Sequence, residues 1–300
     1  MKILHIDTGA QMRGGQYQVR LLLSLLRQSG IEVELLAHRH SPLALWAHGN
    51  DVPVNSATLR NVFRYSRRFD LTHAHDAHAH ALAALASGKP IVVSRRVAFP
   101  VRSSFLSRWK YNRTSRFLAV SEFSAGQLRV AGVPDEKIDV VYDAFEAAEE
   151  GVWNLKAPAV ALESKDPAKG RDLIERAARI AGIDVTYSSD LPCDLRCASM
   201  FLYITRSEGL GSAAIIAMRM GIPVIASRVG GLAEVFEHEH SGLYTENQPA
   251  VIASAIRKIL DNPERTRDMV ANAKARAREK FSPATLVERT IAAYRRALGE

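Results

Sequence analysis

Cysteine is scarce in this sequence of 300 residues, in which only Cys193 and Cys197 occur. Their spacing does not match a CxxC pair, and no second pair is present to complete a zinc site. We therefore expect both to be small buried side chains that stay reduced.

Long hydrophobic runs are also missing. No apolar stretch approaches the roughly 20 residues that a membrane-spanning helix needs. Residues 1–7 do not form the apolar core of a signal peptide, because Asp7 interrupts them. The sequence therefore predicts a cytoplasmic protein.

Acidic side chains are absent from residues 77–121. Eight basic residues lie in this run: Lys89, Arg95, Arg96, Arg102, Arg108, Lys110, Arg113 and Arg116. Residues 1–145 hold 19 Lys and Arg against 11 Asp and Glu, a difference equal to the net charge of +8. Such a field attracts phosphorylated glycans, anionic lipid headgroups or nucleic acid. Nucleic acid is the least favoured partner, since no recognised binding module for it appears.

Short β-branched runs alternate with amphipathic segments of helical length, a pattern typical of parallel α/β sheets. The predicted strands cover residues 2–6, 32–37, 71–75, 90–94, 117–121, 138–142, 159–162, 184–187, 200–205 and 223–227. The predicted helices cover residues 16–28, 77–86, 122–131, 170–181, 212–220, 249–260, 263–280 and 282–298, with Ser121 as an N-cap. An acidic stretch of small residues at 145–158 predicts an interdomain linker.

The predicted fold is α/β, with two Rossmann-like doubly wound domains and an interdomain cleft where ligands bind. The N-terminal domain, expected to bind the acceptor, covers residues 1–145. The C-terminal domain, expected to bind the donor, covers residues 146–281. A helix over residues 282–300 follows and is free to pack back on the N-terminal domain.

The most informative motif joins a predicted strand ending at Thr205 to a helix beginning at Ser212. It contains Glu208, Gly209, Leu210 and Gly211. Glycine lets backbone amides approach a phosphate, and a helix N-terminus offers unpaired donors. Taken alone, the motif also fits an ordinary tight strand-to-helix connection.

The order of residues from Glu208 to Glu234 resembles the donor site of the family-4 glycosyltransferases, which have the GT-B architecture. It runs from Glu-Gly-Leu-Gly through an apolar helix and Gly-Ile-Pro-Val to Gly-Gly and Glu234. Residues 166–173 resemble the Lys-Gly signature of that family. Gly14 and Gly15 resemble its glycine-rich loop, and residues 71–75 and 117–121 resemble its strand endings.

The resemblance implies roles for the matching residues. Lys169 would pair with the donor diphosphate, and the amides of residues 209–211 would contact phosphate and sugar. Glu208 would bind hydroxyls of the transferred hexose. The implied donor-binding set is Lys165, Lys169, Glu208, Gly209, Leu210, Gly211, Ser212 and Glu234. The implied reaction retains the anomeric configuration and needs no metal or cofactor besides the nucleotide-diphosphate sugar.

The sequence departs from the family pattern at several positions. Ile216 replaces the second glutamate that binds the nucleotide ribose. Ser164 replaces an arginine, for which the adjacent Lys165 is a substitute. Arg95 and Arg96 follow Ser94, where the pattern expects a histidine. We expect both arginines to point into the cleft, meet phosphates and act with Glu208 and Lys169 in catalysis.

The histidine-rich run invites a metal hypothesis. His73 and His75 would point to the same side of a strand end. No complete ligand set is visible beside them, so we predict no metal and assign Gly14, Gly15, His73 and His75 to the cleft or acceptor side. The aromatic residues of the basic run fit either a solvated surface or an anionic membrane at the inner face.

Two functional hypotheses follow, and the first is a retaining hexosyltransferase. It would use a nucleotide sugar and an anionic glycan or glycolipid acceptor, such as a lipopolysaccharide-core sugar. The second is a degenerate GT-B protein that binds nucleotide or glycan without turnover, as Ile216 permits. An isomerase or phosphorylase of this architecture is a third option, but the cofactor lysine motif of a phosphorylase is not found.

Overall fold

The computed structural model describes residues 1–100, 104–146 and 149–300. The chain forms two compact units. Unit 1 is Met1–Ala144 with Pro283–Glu300, and unit 2 is Phe145–Ser282. Arg102 of the basic run and residues 147–148 of the predicted linker lie outside the described residues. No helix formed by the described residues is long and apolar enough to cross a membrane.

Unit 1 contains a parallel sheet of seven strands in the order β3-β2-β1-β4-β5-β6-β7. The strands are β1 (Lys2–Asp7), β2 (Glu32–Ala37), β3 (Val54–Ser56), β4 (Leu71–Ala74), β5 (Ile91–Arg95), β6 (Arg116–Ala119) and β7 (Ile138–Val140). The helices are α1 (Gly14–Gln28), α2 (Pro42–Gly49), α3 (Leu59–Ser66), α4 (Ala77–Ala86), α5 (Phe105–Asn112) and α6 (Glu122–Val130).

Both faces of this sheet are covered, so its strands are nearly continuous apolar runs. Ile3 of β1 belongs to one core with Leu22 of α1, whereas Leu4 belongs to the opposite core with Ala79 of α4. The strand order matches the doubly wound arrangement, and the order reverses between β1 and β4.

Unit 2 contains a parallel sheet of five strands in the order β10-β9-β12-β13-β14 and a two-stranded sheet of β8 and β11. The strands are β8 (Val152–Trp153), β9 (Ala159–Leu162), β10 (Val185–Ser188), β11 (Cys197–Ala198), β12 (Phe201–Tyr203), β13 (Val224–Ser227) and β14 (Leu243–Thr245). The helices are α7 (Arg171–Ala181), α8 (Leu191–Asp194), α9 (Ser212–Met220), α10 (Pro249–Asp261) and α11 (Pro263–Lys280). The order reverses between β9 and β12.

The last helix, α12 (Pro283–Leu298), belongs to unit 1. Leu286 and Tyr294 are buried in the core that α1 covers. Tyr294 is fully buried and its ring meets that of His73 edge to face, with the centroids 5.5 Å apart. The end of the chain therefore completes one face of the first sheet.

Several predictions are corrected by the structure. Cys193 and Cys197 are both exposed, since Cys193 lies in the one-turn helix α8 and Cys197 is the exposed first residue of the short strand β11. The stretch predicted as a linker contains β8, which pairs with β11. Gly14 and Gly15 form the first turn of α1 and not a loop. The N-cap at Ser121 is confirmed, since its Oγ accepts from the amide of Ser124 at 3.1 Å.

Candidate functional site

The predicted donor residues of unit 2 follow two neighbouring strands, β9 and β12. Lys169 ends a 3-10 turn after β9, and Glu208 follows β12. The strand order of the sheet reverses between these two strands. In open parallel sheets this is where ligands bind, beyond the carboxyl ends of the strands. The fold therefore brings Lys169 and Glu208 to the expected ligand edge.

The Glu208 carboxylate lies at the centre of a polar cluster. Its Oε2 accepts from the Lys169 ammonium at 2.8 Å and from the Tyr203 hydroxyl at 2.6 Å. Its Oε1 accepts from the Gly209 amide at 3.2 Å. Burial raises the pKa of Tyr203 well above its usual value, and the negative charge of Glu208 raises it further. The hydroxyl therefore keeps its proton and stays a donor. The lysine thus meets a carboxylate of the protein, and three donors fix that carboxylate.

Tyr203 was not predicted as a site residue. It is the last residue of β12, five positions before Glu208. Its hydroxyl, a polar group on an otherwise apolar strand, is what the sequence offers to indicate a role in the site. A buried tyrosine generally needs a hydrogen-bond partner, and here the glutamate supplies it.

Close backbone contact explains the glycines around the cluster. Gly230 has φ of 51°, and a Cβ there would overlap the carbonyl oxygen of Glu208. That same oxygen accepts from the amide of Gly231 at 3.0 Å. Gly211 has φ of 100°, and a Cβ there would lie 2.5 Å from Leu232 Cδ1. The two glycine turns therefore pack directly against each other.

The other predicted donor residues have different surroundings. Leu210 is buried, and Ser212 is the first residue of α9. Lys165 is exposed. The Glu234 carbonyl, at the end of the Gly230–Glu234 turn, accepts from Lys280 at 3.2 Å. Ile216 lies in α9 and is half-buried.

In unit 1, three buried histidines lie where the strand order reverses. His5 of β1 is in register with His73 of β4, and His75 follows directly. The rings of His73 and His75 have centroids 4.0 Å apart, and those of His5 and His75 stack at 5.2 Å. His5 Nδ1 lies 2.9 Å from His75 Nε2. Sequence reasoning missed His5, because only the register of β1 against β4 brings it to the pair.

Burial keeps these imidazoles neutral. It lowers the pKa of His5 to about 3, and it lowers the pKa values of His73 and His75 well below the usual value. The charge of Arg96 lowers the latter two further.

The three histidines are the group that could hold a metal ion among the described residues, with one ligand atom of each within 4.8 Å of the others. His73 fits that role poorly. Its Nδ1 lies 2.6 Å from the Tyr294 hydroxyl and its Nε2 lies 2.9 Å from Ser94 Oγ. Both nitrogens are thus engaged, and a guanidinium, that of Arg96, lies 3.5 Å from His75 Nδ1. The surroundings favour a hydrogen-bonded cluster over a metal centre.

The neighbouring arginines Arg95 and Arg96 do not share one environment. Arg96 Nε donates to Asp143 Oδ1 at 2.9 Å, and both side chains are largely buried. Arg95 Nη2 donates to the carbonyl oxygen of Phe99. Arg96 is therefore neutralised inside the unit, which sequence reasoning did not anticipate.

The start of α1 contacts the end of β1. Asp7, at the end of β1, accepts from the Gln16 side-chain amide at 3.1 Å and from the Gly9 amide at 2.9 Å. Burial raises the pKa of Asp7. Gly14 and Gly15 have open space where a Cβ would lie. The absence of side chains there leaves the first turn of α1 open.

Comparison with known proteins identifies similar sequences in both units. The profile described as Glycosyltransferase Family 4 matches residues 12–148, and the profile described as Glycosyl transferases group 1 matches residues 183–276. Among curated relatives, D-inositol 3-phosphate glycosyltransferase of Streptomyces coelicolor is 31% identical over 165 residues, 52% of this chain and 36% of that protein. An uncharacterised glycosyltransferase of Methanocaldococcus jannaschii is 26% identical over 250 residues, 80% of this chain and 64% of that protein. The matches span from 23% to 64% of the length of the first curated relatives.

A solved structure matches nearly the whole length of this chain. The Anabaena protein HepE, crystallised with UDP-glucose, superposes with a TM-score of 0.82 at 18% identity. The match covers 98% of this chain and 99% of that chain. At this identity the likeness shows the fold, which has two Rossmann-like domains.

Proposed function

Since this chain belongs to the family-4 glycosyltransferases and has the GT-B fold, we propose that it is a retaining hexosyltransferase. Its donor is a nucleotide-diphosphate sugar and its acceptor an anionic glycan or glycolipid. The transfer needs neither a metal ion nor a further cofactor. The observation that carries the proposal is the cluster of Lys169, Glu208 and the 209–211 turn at the ligand edge of unit 2.

The donor diphosphate binds between Lys169 and the N-terminus of α9. The ammonium lies 2.8 Å from Glu208 and is only partly buried, so an incoming diphosphate can contact it without unfolding the cluster. Amides at a helix N-terminus bind phosphate oxygens, and the helix dipole favours their charge. Glu208 then accepts from hydroxyls of the hexose, with Tyr203 holding it in place. HepE, which was crystallised with UDP-glucose, supports a nucleotide sugar as the donor.

The chemical step is a displacement on one face of the sugar. The bond between the anomeric carbon and the diphosphate oxygen breaks, and a bond from that carbon to the acceptor oxygen forms on the same face. The acceptor proton passes to the leaving diphosphate. Lys169 and the amides of the glycine turn stabilise the negative charge that develops there.

The acceptor is anionic because unit 1 carries the positive charge. Two arginines of the acid-free run are paired within the unit, Arg96 with Asp143 at 2.9 Å and Arg116 with Asp139 at 3.1 Å. The other cations of the run that the structure describes form no ion pair with a described carboxylate, so they are available to an external anion. The name of the Streptomyces relative, which refers to a phosphorylated inositol, supports an acceptor of this class. A lipopolysaccharide-core sugar is one such acceptor.

Helix α5 supports contact with an anionic membrane at the cytoplasmic face. None of its residues is buried, and Phe105 and Leu106 are 82% and 74% exposed. Arg108 and Arg113 accompany them. Exposed apolar side chains flanked by cations are typical of surfaces that bind anionic bilayers. Sedimentation with phosphatidylcholine vesicles, with and without phosphatidylglycerol, tests this. If the protein binds both kinds of vesicle equally well, contact with an anionic membrane is contradicted.

The second candidate is a GT-B protein that binds a nucleotide without turnover, and Ile216 favours it. Isoleucine cannot accept hydrogen bonds from ribose hydroxyls. Leaving such a hydroxyl unpaired in a buried site costs about 1–3 kcal/mol. A protein of this kind would bind nucleotides and release no sugar.

Calorimetric titration of the full chain with UDP, GDP and ADP, followed by a donor-hydrolysis assay, separates the two candidates. We expect one of the three nucleotides to bind. Lys169→Ala should lower its affinity about tenfold, because the charge-assisted contacts to the diphosphate are lost. The matched control is Lys156→Ala, an exposed lysine of the same unit. An unchanged affinity in Lys169→Ala overturns the donor site. Tight binding without hydrolysis or transfer selects the second candidate. NMR of the product tests whether the anomeric configuration is retained. Transfer assays in EDTA test whether the reaction needs a metal ion.

A further inference from the structure

Three neighbouring strands of the unit 2 sheet are joined at their carboxyl ends by a ring of hydrogen bonds. Thr205 follows β12, Ser227 is the last residue of β13, and Asn247 follows β14. Asn247 Nδ2 donates to the carbonyl oxygen of Thr205 at 3.0 Å, and the Ser227 hydroxyl donates to Asn247 Oδ1 at 2.5 Å. The Ser227 oxygen accepts in turn from the Thr205 amide at 3.0 Å. We call these three bonds the strand-end ring.

The chemistry of the partners fixes the direction of every bond in the ring. The Thr205 carbonyl can only accept, so the amide nitrogen of Asn247 faces it and the amide oxygen faces Ser227. The Thr205 amide can only donate, so the Ser227 oxygen accepts from it and gives its own proton to Asn247. Thr205 and Ser227 are each 1% exposed, and a buried polar group that loses its partner is costly. Asn247 therefore satisfies polar groups at the ends of both β12 and β13.

The segment of residues 204–206 also supports the turn that carries Lys169. The amide of Arg206 donates to the carbonyl oxygen of Ala168 at 2.9 Å. Gly170 has φ of 65°, and a Cβ there would lie 2.9 Å from a carbonyl oxygen of the same segment. The segment therefore contacts the residues on both sides of Lys169.

The same segment leads directly into Glu208. The Thr205 hydroxyl donates to the carbonyl oxygen of Ser207 at 3.1 Å, which fixes the chain just before the glutamate. The Glu208 carboxylate then accepts from the Lys169 ammonium at 2.8 Å. Both charged groups of the cluster thus depend on residues 204–206, Glu208 through the chain and Lys169 through contacts with the backbone.

We propose that Asn247 is a positioning residue of the donor site. Its side-chain amide holds the ends of β12 and β13 together, and this fixes the segment of residues 204–206. The segment in turn keeps Lys169 and Glu208 at the ligand edge. Binding groups hold their geometry only when hydrogen bonds behind them lock their supports. The inference rests on the proposed function, which it deepens by naming a residue that acts through Lys169 and Glu208.

The test uses Asn247→Ala and Ser227→Ala in the full chain, since each variant opens the ring. UDP, GDP and ADP are titrated by calorimetry, and peptide-resolved hydrogen exchange is measured over residues 166–170 and 204–209. We expect each variant to lower the affinity for the nucleotide that the wild type binds about tenfold, and to speed exchange in both peptides. Because the two side chains belong to one ring, the double variant should lose little more affinity than either single variant.

Two further variants separate positioning from general destabilisation. Asn272→Ala is the matched control, because Asn272 is also a half-buried asparagine of unit 2 and its Nδ2 donates to the carbonyl oxygen of His240 at 3.2 Å. It should leave nucleotide affinity unchanged, even if it lowers the urea midpoint. Ser227→Thr keeps the hydroxyl and should restore most of the affinity that Ser227→Ala loses.

The outcomes distinguish this inference from the proposed function. Unchanged affinity in both alanine variants of the ring overturns the inference, even if their urea midpoints fall, and so does an equal fall in affinity in Asn272→Ala. If the wild type binds none of the three nucleotides, the proposed function fails and hydrogen exchange decides the role of Asn247. Faster exchange confined to the two peptides then supports positioning. Exchange that is unchanged, or faster throughout unit 2, overturns it.

Discussion

In unit 2 the ligand edge of the sheet consists of glycine turns and one ion pair, whereas in unit 1 the same edge is filled with ionisable side chains. Lys169 and Glu208 are partly exposed, and the Tyr203 hydroxyl and the Gly209 amide also contact the carboxylate. His5, His73 and His75 are buried, and so is most of the Arg96–Asp143 pair. The comparison teaches that one fold can prepare a binding edge through close backbone packing or through buried, internally compensated polar groups. The stability of the unit 2 edge should be sensitive to added side-chain volume, and that of the unit 1 edge should be sensitive to protonation.

The largest expected effect is the acid sensitivity of unit 1. Burial lowers the pKa values of His5 and His80 to about 3, so between pH 7 and 5 only the unfolded chain takes up protons at these two sites. The stability that they contribute is present above pH 6.5 and is lost as the pH falls. The expected loss is about 2 kcal/mol for each imidazole, or about 4 kcal/mol together. Asp7 and Asp143, whose pKa values burial raises, offset part of it.

Peptide-resolved hydrogen exchange at pH 7 and 5, corrected for the intrinsic rate, measures this loss in each unit. Unit 2 is the internal control, since its two histidines, His238 and His240, are exposed. An equal loss of protection in both units would break the comparison.

The second prediction adds volume to the glycine turn of unit 2. Gly230→Ala places a Cβ against the carbonyl oxygen of Glu208 and forces alanine into a left-handed conformation. We expect a destabilisation of about 2–4 kcal/mol from strain and overpacking together. Urea unfolding measures it, and nucleotide affinity should fall as the turn shifts.

Gly182→Ala is the matched control. Its φ of 71° imposes the same backbone strain, but nothing lies within 4 Å of the added Cβ. The expected cost is about 1 kcal/mol. If the free energy of unfolding falls equally in the two variants, the close packing of the two glycine turns does not contribute to stability.

The third prediction concerns the tyrosine at each edge. Tyr294→Phe leaves Nδ1 of buried His73 without its partner at 2.6 Å, which should cost about 1–3 kcal/mol and leave nucleotide affinity unchanged. Tyr203→Phe should instead weaken nucleotide binding, because the hydroxyl fixes Glu208 at 2.6 Å. Tyr17→Phe, at an exposed position of α1, is the control and should lie within about 0.5 kcal/mol of wild type. A loss of nucleotide affinity in Tyr294→Phe would contradict the assignment.

Local signals in the sequence predicted much of unit 2. The bounds of α9 and α11 are confirmed to the residue, because glycines flank α9 and Pro263 begins α11. The resemblance also brought Lys169 and Glu208 to one site, although their sequence positions are 39 residues apart.

The unpredicted features depend on strand register and surface placement. His5 meets His73 only because β1 and β4 pair in that register. Arg96 meets Asp143 only because β5 and β7 end at the same edge of the sheet. Cys193 is exposed because a single helical turn carries it at the surface. None of these contacts has a periodic signal in the local sequence.

The smallest expected effect separates buried from exposed ion pairs at equal distance. In unit 2, Arg171 contacts Glu163 at 2.9 Å and Glu175 at 3.0 Å, with all three side chains nearly half exposed. The Arg96–Asp143 pair of unit 1 has the same 2.9 Å contact but is largely buried. Exposed pairs gain little, because solvent screens the attraction and ordering two long side chains costs entropy. Glu163→Gln, and the double variant with Glu175→Gln, should therefore leave the urea midpoint of the full chain unchanged within error at physiological salt. A clear downward shift that disappears in high salt would show that the surface network of unit 2 contributes to stability, and burial would then no longer separate the two units.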